Sequence, residues 1–111
     1  MSDAPSLAQQ ASLLAQNGDD AAASSLYEQG LELFPHDARF ANSAGNFHAR
    51  AGRDTRALEL FERALALEPE LEEAAINAAI VLLKMDQPAG AAQLLAQHEA
   101  GSTRSARYWT I

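Results

Sequence analysis

The chain of 111 residues has room for one small domain or one short stack of repeats, which leaves little depth for an enzyme cleft. It contains no cysteine, so disulfides and thiolate metal sites are excluded, and fifteen acidic against eight basic residues give a net charge of −7 that disfavours nucleic acid and anionic lipid as partners. No stretch has the apolar length of a membrane span and Met1–Leu7 lacks the pattern of a secretory signal, so we expect a cytoplasmic protein.

Alanine and leucine dominate the sequence and β-branched residues are few, which favours an all-α fold. Apolar and small residues recur at helical spacing between helix-breaking positions. In chain order, the predicted helices run from Leu7 to Gln16, from a cap at Asp19 or Asp20 to Leu33, from a cap at Asp37 to about Ala51, from a cap at Asp54 to Leu67, from about Glu72 to Lys84, and from Pro88 to about Glu99.

The helix breakers return with a fixed period of 34 residues. Gly18 and Gly52 follow the first helix of a pair, and Pro35 and Pro69 follow the second. The same shift aligns further pairs, namely Asp20 with Asp54, Ala23 with Ala57, Tyr27 with Phe61, and Leu31 with Leu65. A fixed period of this length is typical of a repeat architecture in which each helical unit packs on the next.

The repeated pattern resembles the tetratricopeptide repeat (TPR) family from about Ala4 to Ser105. The middle unit matches the family motif at Gly45, Gly52, Ala57, Phe61, Ala64 and Pro69. The resemblance implies an all-α solenoid, a TPR-type right-handed superhelix of antiparallel helix pairs, with units at about residues 4–37, 38–71 and 72–105. Residues 106–111 would then begin a further helix or form a capping segment.

The middle unit also has a physical reason for its residue types. Small side chains at Ala57 and Ala64 allow two helix backbones to approach, and Phe61 between them fills the space at the crossing. We therefore expect this aromatic side chain to be buried.

In the TPR family the first helix of each unit lines a concave groove. The resemblance therefore implies a non-catalytic protein-protein interaction scaffold that binds a peptide or protein segment. The groove positions of the family fall here on Gln9, Ser12, Gln16, Arg39, Asn42, Asn46, Arg50, Asn77, Ile80 and Lys84. The clamp by which some members grip acidic chaperone tails is absent, because its places hold Ala8, Ser12, Ser43, Glu73 and Asn77.

The second unit carries the polar residues that suit a peptide. Asn42 and Asn46 lie four residues apart, hence on one face of a helix, and each amide can donate to and accept from a peptide backbone. With Arg39 and Arg50 nearby, an acidic or carboxylate-bearing partner would be favoured. The alternative is that all four are ordinary solvated side chains.

The third unit carries an apolar stripe. Ile76, Ile80 and Leu83 follow the i, i+4, i+7 spacing of one helix face. In the family register this stripe faces the groove, where it could hold an apolar anchor of the ligand, the chain's own Tyr108–Trp109 segment or a second copy of the protein. A slipped register would instead bury the stripe between helices.

Neither catalysis nor a cofactor or metal is predicted. His36, His48 and His98 have no partner at metal-ligand spacing, and the chain has no glycine-rich phosphate loop and no nucleophile elbow. We expect His48 to be packed and hydrogen-bonded. Two acidic runs, Asp19-Asp20 and Glu70-Glu72-Glu73, lie at the positive ends of predicted helices, which explains them without a metal ion.

Two other functions remain open. TPR segments that resemble this one precede aspartyl/asparaginyl β-hydroxylase-like and sulfotransferase-like domains, so the chain could be the amino-terminal accessory portion of a larger bacterial enzyme. It could also be a homo-oligomer that associates through its carboxyl-terminal end. There, Tyr108, Trp109 and Ile111 would expose apolar groups at the start of an unfinished repeat.

Overall fold

The computed structural model describes the backbone of residues 3–109 and the side chains of residues 3–98. This part of the chain forms six helices, α1 (Ala4–Gln16), α2 (Asp20–Leu33), α3 (Ala38–Arg50), α4 (Asp54–Leu67), α5 (Glu72–Lys84) and α6 (Pro88–Trp109). No strand occurs among these residues, and the predicted all-α fold is confirmed. None of the helices described is both long and apolar enough to cross a membrane.

Aspartate side chains begin the first three helices. Asp3, Asp19 and Asp37 each accept a hydrogen bond from the backbone N–H three residues further on, at 2.9, 3.2 and 2.9 Å. Each bond satisfies a donor that the first helical turn leaves without a partner. The prediction of Asp54 as the cap of α4 is wrong by one residue. Arg53 occupies the cap position without a side-chain cap bond, and Asp54 is already helical.

Each helix pair turns on one residue with a left-handed backbone. Gly18 has φ 84°, Gly52 has φ 83° and Asp86 has φ 61°, and their numbers differ by 34. The residue after each of them donates its N–H to the carbonyl five positions earlier, at 2.9, 2.9 and 2.8 Å, which closes a Schellman-type turn. The third pair therefore turns as the first two do, although aspartate replaces glycine.

Helices α3 and α4 approach closely where glycine and alanine remove side-chain bulk. A Cβ atom added to Gly45 would lie 2.7 Å from Cε1 of Phe61. Phe61, Ala57 and Ala64 are completely buried, so the predicted filling of this crossing by the aromatic ring is confirmed.

A similar contact joins the first helix pair to the second. Gly30 on α2 faces Phe40 on α3, and a Cβ atom added to this glycine would lie 2.0 Å from Cζ of the ring. Helix α4 packs on α5, and the first helices of the pairs, α1, α3 and α5, also contact one another in succession. The pairs thus stack as a TPR solenoid with α1, α3 and α5 along one wall.

The last helix is longer than predicted. Helix α6 continues without interruption to Trp109, so the predicted end near Glu99 is wrong. Gly101 lowers the stability of a helix by only about 1 kcal/mol relative to alanine, and no proline follows it to end the helix. Residues 106–109 therefore continue α6 and do not begin a separate helix.

The prediction of self-association depends on side chains at the carboxyl-terminal end. Those of Tyr108, Trp109 and Ile111 lie outside the described residues. Self-association through them stays a prediction.

Candidate functional site

The exposed residues of α1, α3 and α5 form one surface, which we call the groove. Between α1 and α3 the groove surrounds a space of about 490 Å³. Five of the predicted groove residues line this space, namely Gln9, Ser12, Gln16, Asn46 and Arg50. The structure therefore brings the polar residues of the first two units together around one concavity.

A second space of about 350 Å³ lies toward the amino-terminal ends of the same helices. Its walls include the predicted residues Arg39 and Asn42, and Glu73 from α5. Ala8 and Ser43 border both spaces, so the two are parts of one groove. Both spaces have acidic side chains in their walls, Asp20 in the first and Asp37 and Glu73 in the second.

A row of long polar side chains marks the opposite edge of the groove. Gln16, Arg50 and Lys84 are the last residues of α1, α3 and α5, and all three are exposed. Their numbers differ by 34, so they occupy one position of the repeat on three successive helices. Lys84 thus extends this edge beyond the space between α1 and α3.

Asn42 lines the second space and also takes part in packing. It is only 9% exposed, and its Oδ1 accepts a hydrogen bond of 3.1 Å from Nδ2 of Asn77 on α5. The bond ties α3 to α5, because position 42 faces the neighbouring first helix. Asn46, one helical turn further on, is exposed and remains open to a ligand.

The apolar stripe on α5 is exposed. Ile76, Ile80 and Leu83 retain 45%, 48% and 58% of their accessible surface. The slipped register that would bury them is therefore wrong, and the family register is retained. Alanines on the opposite side of the helix, such as Ala75 and Ala78, form the buried face. The three exposed aliphatic side chains thus lie along one side of α5.

Tyr27 forms part of the floor of the first space. Its ring is buried and packs against Phe47, with 4.9 Å between the ring centroids. Burial raises the pKa of the phenol, while the positive charge of Arg50 acts in the opposite direction. Tyr27 is not among the predicted groove residues, because its position in the repeat is that of a core aromatic. The structure places it both in the core and in the lining of the first space.

His48 lies on the opposite side of α3 and is buried, as predicted. Its Nδ1 accepts a hydrogen bond of 2.8 Å from Nε of Arg53, and its Nε2 lies 3.5 Å from Oε1 of Glu28. Burial lowers the pKa of the imidazole and the charges of Arg53 and Arg56 lower it further, whereas Glu28 acts to raise it. The lowered pKa favours the uncharged imidazole, and the buried ring packs between helices.

The other candidate ligands for a metal remain apart. Across residues 3–98, no three His, Cys, Asp or Glu side chains come together in a way that could hold an ion. His36 is exposed in the loop after α2, and Nδ1 of His98 lies 3.3 Å from the carbonyl oxygen of Pro69. The carboxylate of Asp19 is used as a helix cap.

Solved structures of MamA share this fold. One aligns with a TM-score of 0.84 and 15% identity over 96% of this chain and 58% of its own. A second gives 0.82, with 15% identity over 96% and 62%. MamA MSR-1 C2 gives 0.76, with 18% identity over 93% and 59%. The chain thus spans about three fifths of the length of these proteins, and the likeness at this identity concerns the fold alone.

The sequence comparisons give the family. No curated protein matches the sequence. A family model described as tetratricopeptide repeat matches residues 48–111, which is more than half of the chain. Together with the solenoid of helix pairs, this match shows that the chain belongs to the tetratricopeptide repeat family.

Proposed function

We propose that the protein is a non-catalytic scaffold that binds an extended peptide or protein segment in the groove. The observation that carries the proposal is the cluster of exposed polar side chains around the first space. Gln9, Asn46 and Arg50 line it without a hydrogen bond or ion pair to another described residue. The TPR fold is itself typical of protein-interaction scaffolds.

The chemistry of these side chains suits a peptide backbone. An extended segment presents unpaired N–H and C=O groups, and an amide side chain can satisfy one of each. The space of about 490 Å³ is large enough for a few residues of such a segment, and it is continuous with the second space along the groove. A segment crossing the helices would therefore find partners along its length.

The proposal is tested by selecting binders from a random-peptide display library against the full chain. Affinities of the selected peptides are then measured by calorimetry for the wild type and for the double variant Asn46→Ala, Arg50→Ala. We expect the double variant to bind about tenfold more weakly, because it loses one amide and one charged contact. Its far-UV circular dichroism should be unchanged, since both side chains are exposed.

The matched control changes two exposed residues on α2, outside the groove, in the variant Gln29→Ala, Glu32→Ala. This control should bind as the wild type does. The groove assignment is wrong if the two double variants bind the selected peptides equally well. Absence of any selected binder would contradict the proposed function itself.

A further inference from the structure

The basic side chains of this acidic protein divide into two groups. Arg53 and Arg56 form ion pairs with Asp20 and Glu28, at 3.5 and 3.0 Å. Arg63 donates to the carbonyl oxygen of Leu31 in the last turn of α2, at 3.3 Å, and to that of Pro35 in the loop that follows, at 3.2 Å. All three lie on α4 or at its start, where their charges stabilise contacts between helix pairs.

The other basic side chains of the described region, Arg39, Arg50 and Lys84, make no such contact with another described residue. They lie on α3 and α5, the helices that line the groove. Among the side chains that the structure describes in this chain of net charge −7, the cations without an internal partner are thus found on the helices of the surface proposed to bind a ligand. The distribution indicates that the ligand carries negative charge.

The register places an aliphatic surface beside two of these cations. Ile80 occupies on α5 the repeat position that Asn46 occupies on α3, and Lys84 corresponds in the same way to Arg50. The hydrogen bond between Asn42 and Asn77 holds the two helices side by side. With helix axes about 8–10 Å apart, a carboxylate above the groove edge is within reach of both cations.

The polarity of the groove therefore changes from one side to the other. At one repeat position α1 carries the half-buried hydroxyl of Ser12 and α3 the exposed amide of Asn46, whereas α5 carries the exposed Ile80, with Ile76 exposed one turn before it. A purely polar segment would leave the apolar stripe in water. A purely apolar segment would leave Arg50 and Lys84 without a partner.

We propose that the groove selects segments in which an aliphatic or aromatic side chain stands within a few residues of a carboxylate. The apolar side chain packs on Ile80 and its stripe, and the carboxylate lies between Arg50 and Lys84, away from Glu73. The inference rests on the proposed function and adds to it the chemical class of the partner.

The composition of the peptides selected from the display library gives the first test. Enrichment of acidic residues close to aliphatic or aromatic ones supports the proposal. Peptides enriched in neither, or in basic residues, would overturn it while leaving a peptide-binding scaffold intact. A library that yields no binder would instead remove the scaffold on which the inference rests.

Substitutions on α5 give the second test. Ile80→Ser should weaken selected peptides about ten- to thirtyfold, because nearly half of that side chain is available for burial. The matched control Leu33→Ser removes a similarly exposed aliphatic side chain at the end of α2 and should have no effect. Equal effects of the two serine variants would refute the apolar contact.

The charge contact is tested by a double-mutant cycle. Lys84→Gln should weaken acidic peptides about threefold to tenfold and should not affect the same peptides with amides in place of their carboxylates. Lys84→Glu should be partly rescued by a lysine at the peptide's acidic position. An equal loss for acidic and amide peptides would show that no carboxylate is held there.

A second copy of the chain is the competing occupant of the stripe. Sedimentation of the wild type and of Ile80→Ser separates the two cases. A monomeric wild type supports the proposal, and a dimer that is lost in Ile80→Ser would overturn it.

Discussion

Replacing Asp86 by glycine should stabilise the protein. This residue holds a left-handed backbone at φ 61° in the turn where the two preceding pairs have glycine. Such a conformation costs about 1–2 kcal/mol for a residue with a Cβ atom, and less for aspartate. Glycine removes that cost but loses more conformational entropy on folding. The net gain is about 0.5–1 kcal/mol.

The carboxylate of Asp86 adds little to this balance. It is exposed and forms no hydrogen bond or ion pair with another described residue. It stands between the negative end of α5 and the positive end of α6, so its interactions with the two helix dipoles offset each other. The change in backbone conformational free energy should therefore outweigh any effect of losing the carboxylate. A gain of about 0.5–1 kcal/mol in the free energy of unfolding corresponds to a rise of about 2–4 °C in the melting temperature.

Urea and thermal unfolding followed by far-UV circular dichroism measure the effect. The reverse substitution, Gly52→Asp, should lower the free energy of unfolding by a similar amount. Nothing lies within 4 Å of a Cβ atom added there, so only the cost of the left-handed backbone conformation changes. Asp86→Ala keeps the Cβ atom and should bring no gain. The reasoning is refuted if Asp86→Gly fails to raise the midpoint, or if Asp86→Ala raises it as much.

Three further substitutions test the packing and the buried histidine. Phe61→Ala should lower the free energy of unfolding by about 3–5 kcal/mol, a large share of the total for a small domain, and retention of a wild-type urea midpoint would contradict its role. Gly45→Ala should cost about 1–3 kcal/mol, because the new methyl group would lie 2.7 Å from the Phe61 ring; a neutral result would mean that the helices separate easily. The folded state holds the pKa of His48 below its ordinary value, so below about pH 6.5 the unfolded chain binds a proton that the folded chain does not. Stability should fall as pH drops through that range, by at most about 1.4 kcal/mol per pH unit, and this part of the urea-midpoint shift should disappear in His48→Gln.

The periodic features of the fold could be predicted from the sequence because each rests on a local backbone requirement. Gly18 and Gly52 occupy left-handed turns that other residues adopt at a cost. Asp37 begins a helix because its side chain reaches the backbone three residues on. Phe61 is buried because the register places it between two small residues.

Other features depend on which helices become neighbours, and local pattern does not determine this. Asn42 and Asn46 have the same chemistry and share a face, yet only Asn42 meets a partner amide on α5. The exposure of Ile80 follows from the stacking of α5, and the length of α6 follows from the small helix penalty of Gly101. For Asn42 and Ile80 a tertiary contact, or its absence, decides the outcome, whereas the length of α6 depends on a local penalty that is too small to end the helix.

The separation of binding residues from packing residues makes the groove proposals testable. Helix α3 turns Phe40 and Phe47 into the core and Asn46 and Arg50 toward solvent, so substitutions at the latter pair should change stability by less than about 0.5 kcal/mol. Asn42 belongs to both sets, because it lines the second space and also packs against α5. Its removal would leave the amide of Asn77 without its acceptor. A loss of binding in an Asn42 variant would therefore mix a lost ligand contact with a shifted helix. The same loss at the exposed pair reports on the ligand alone.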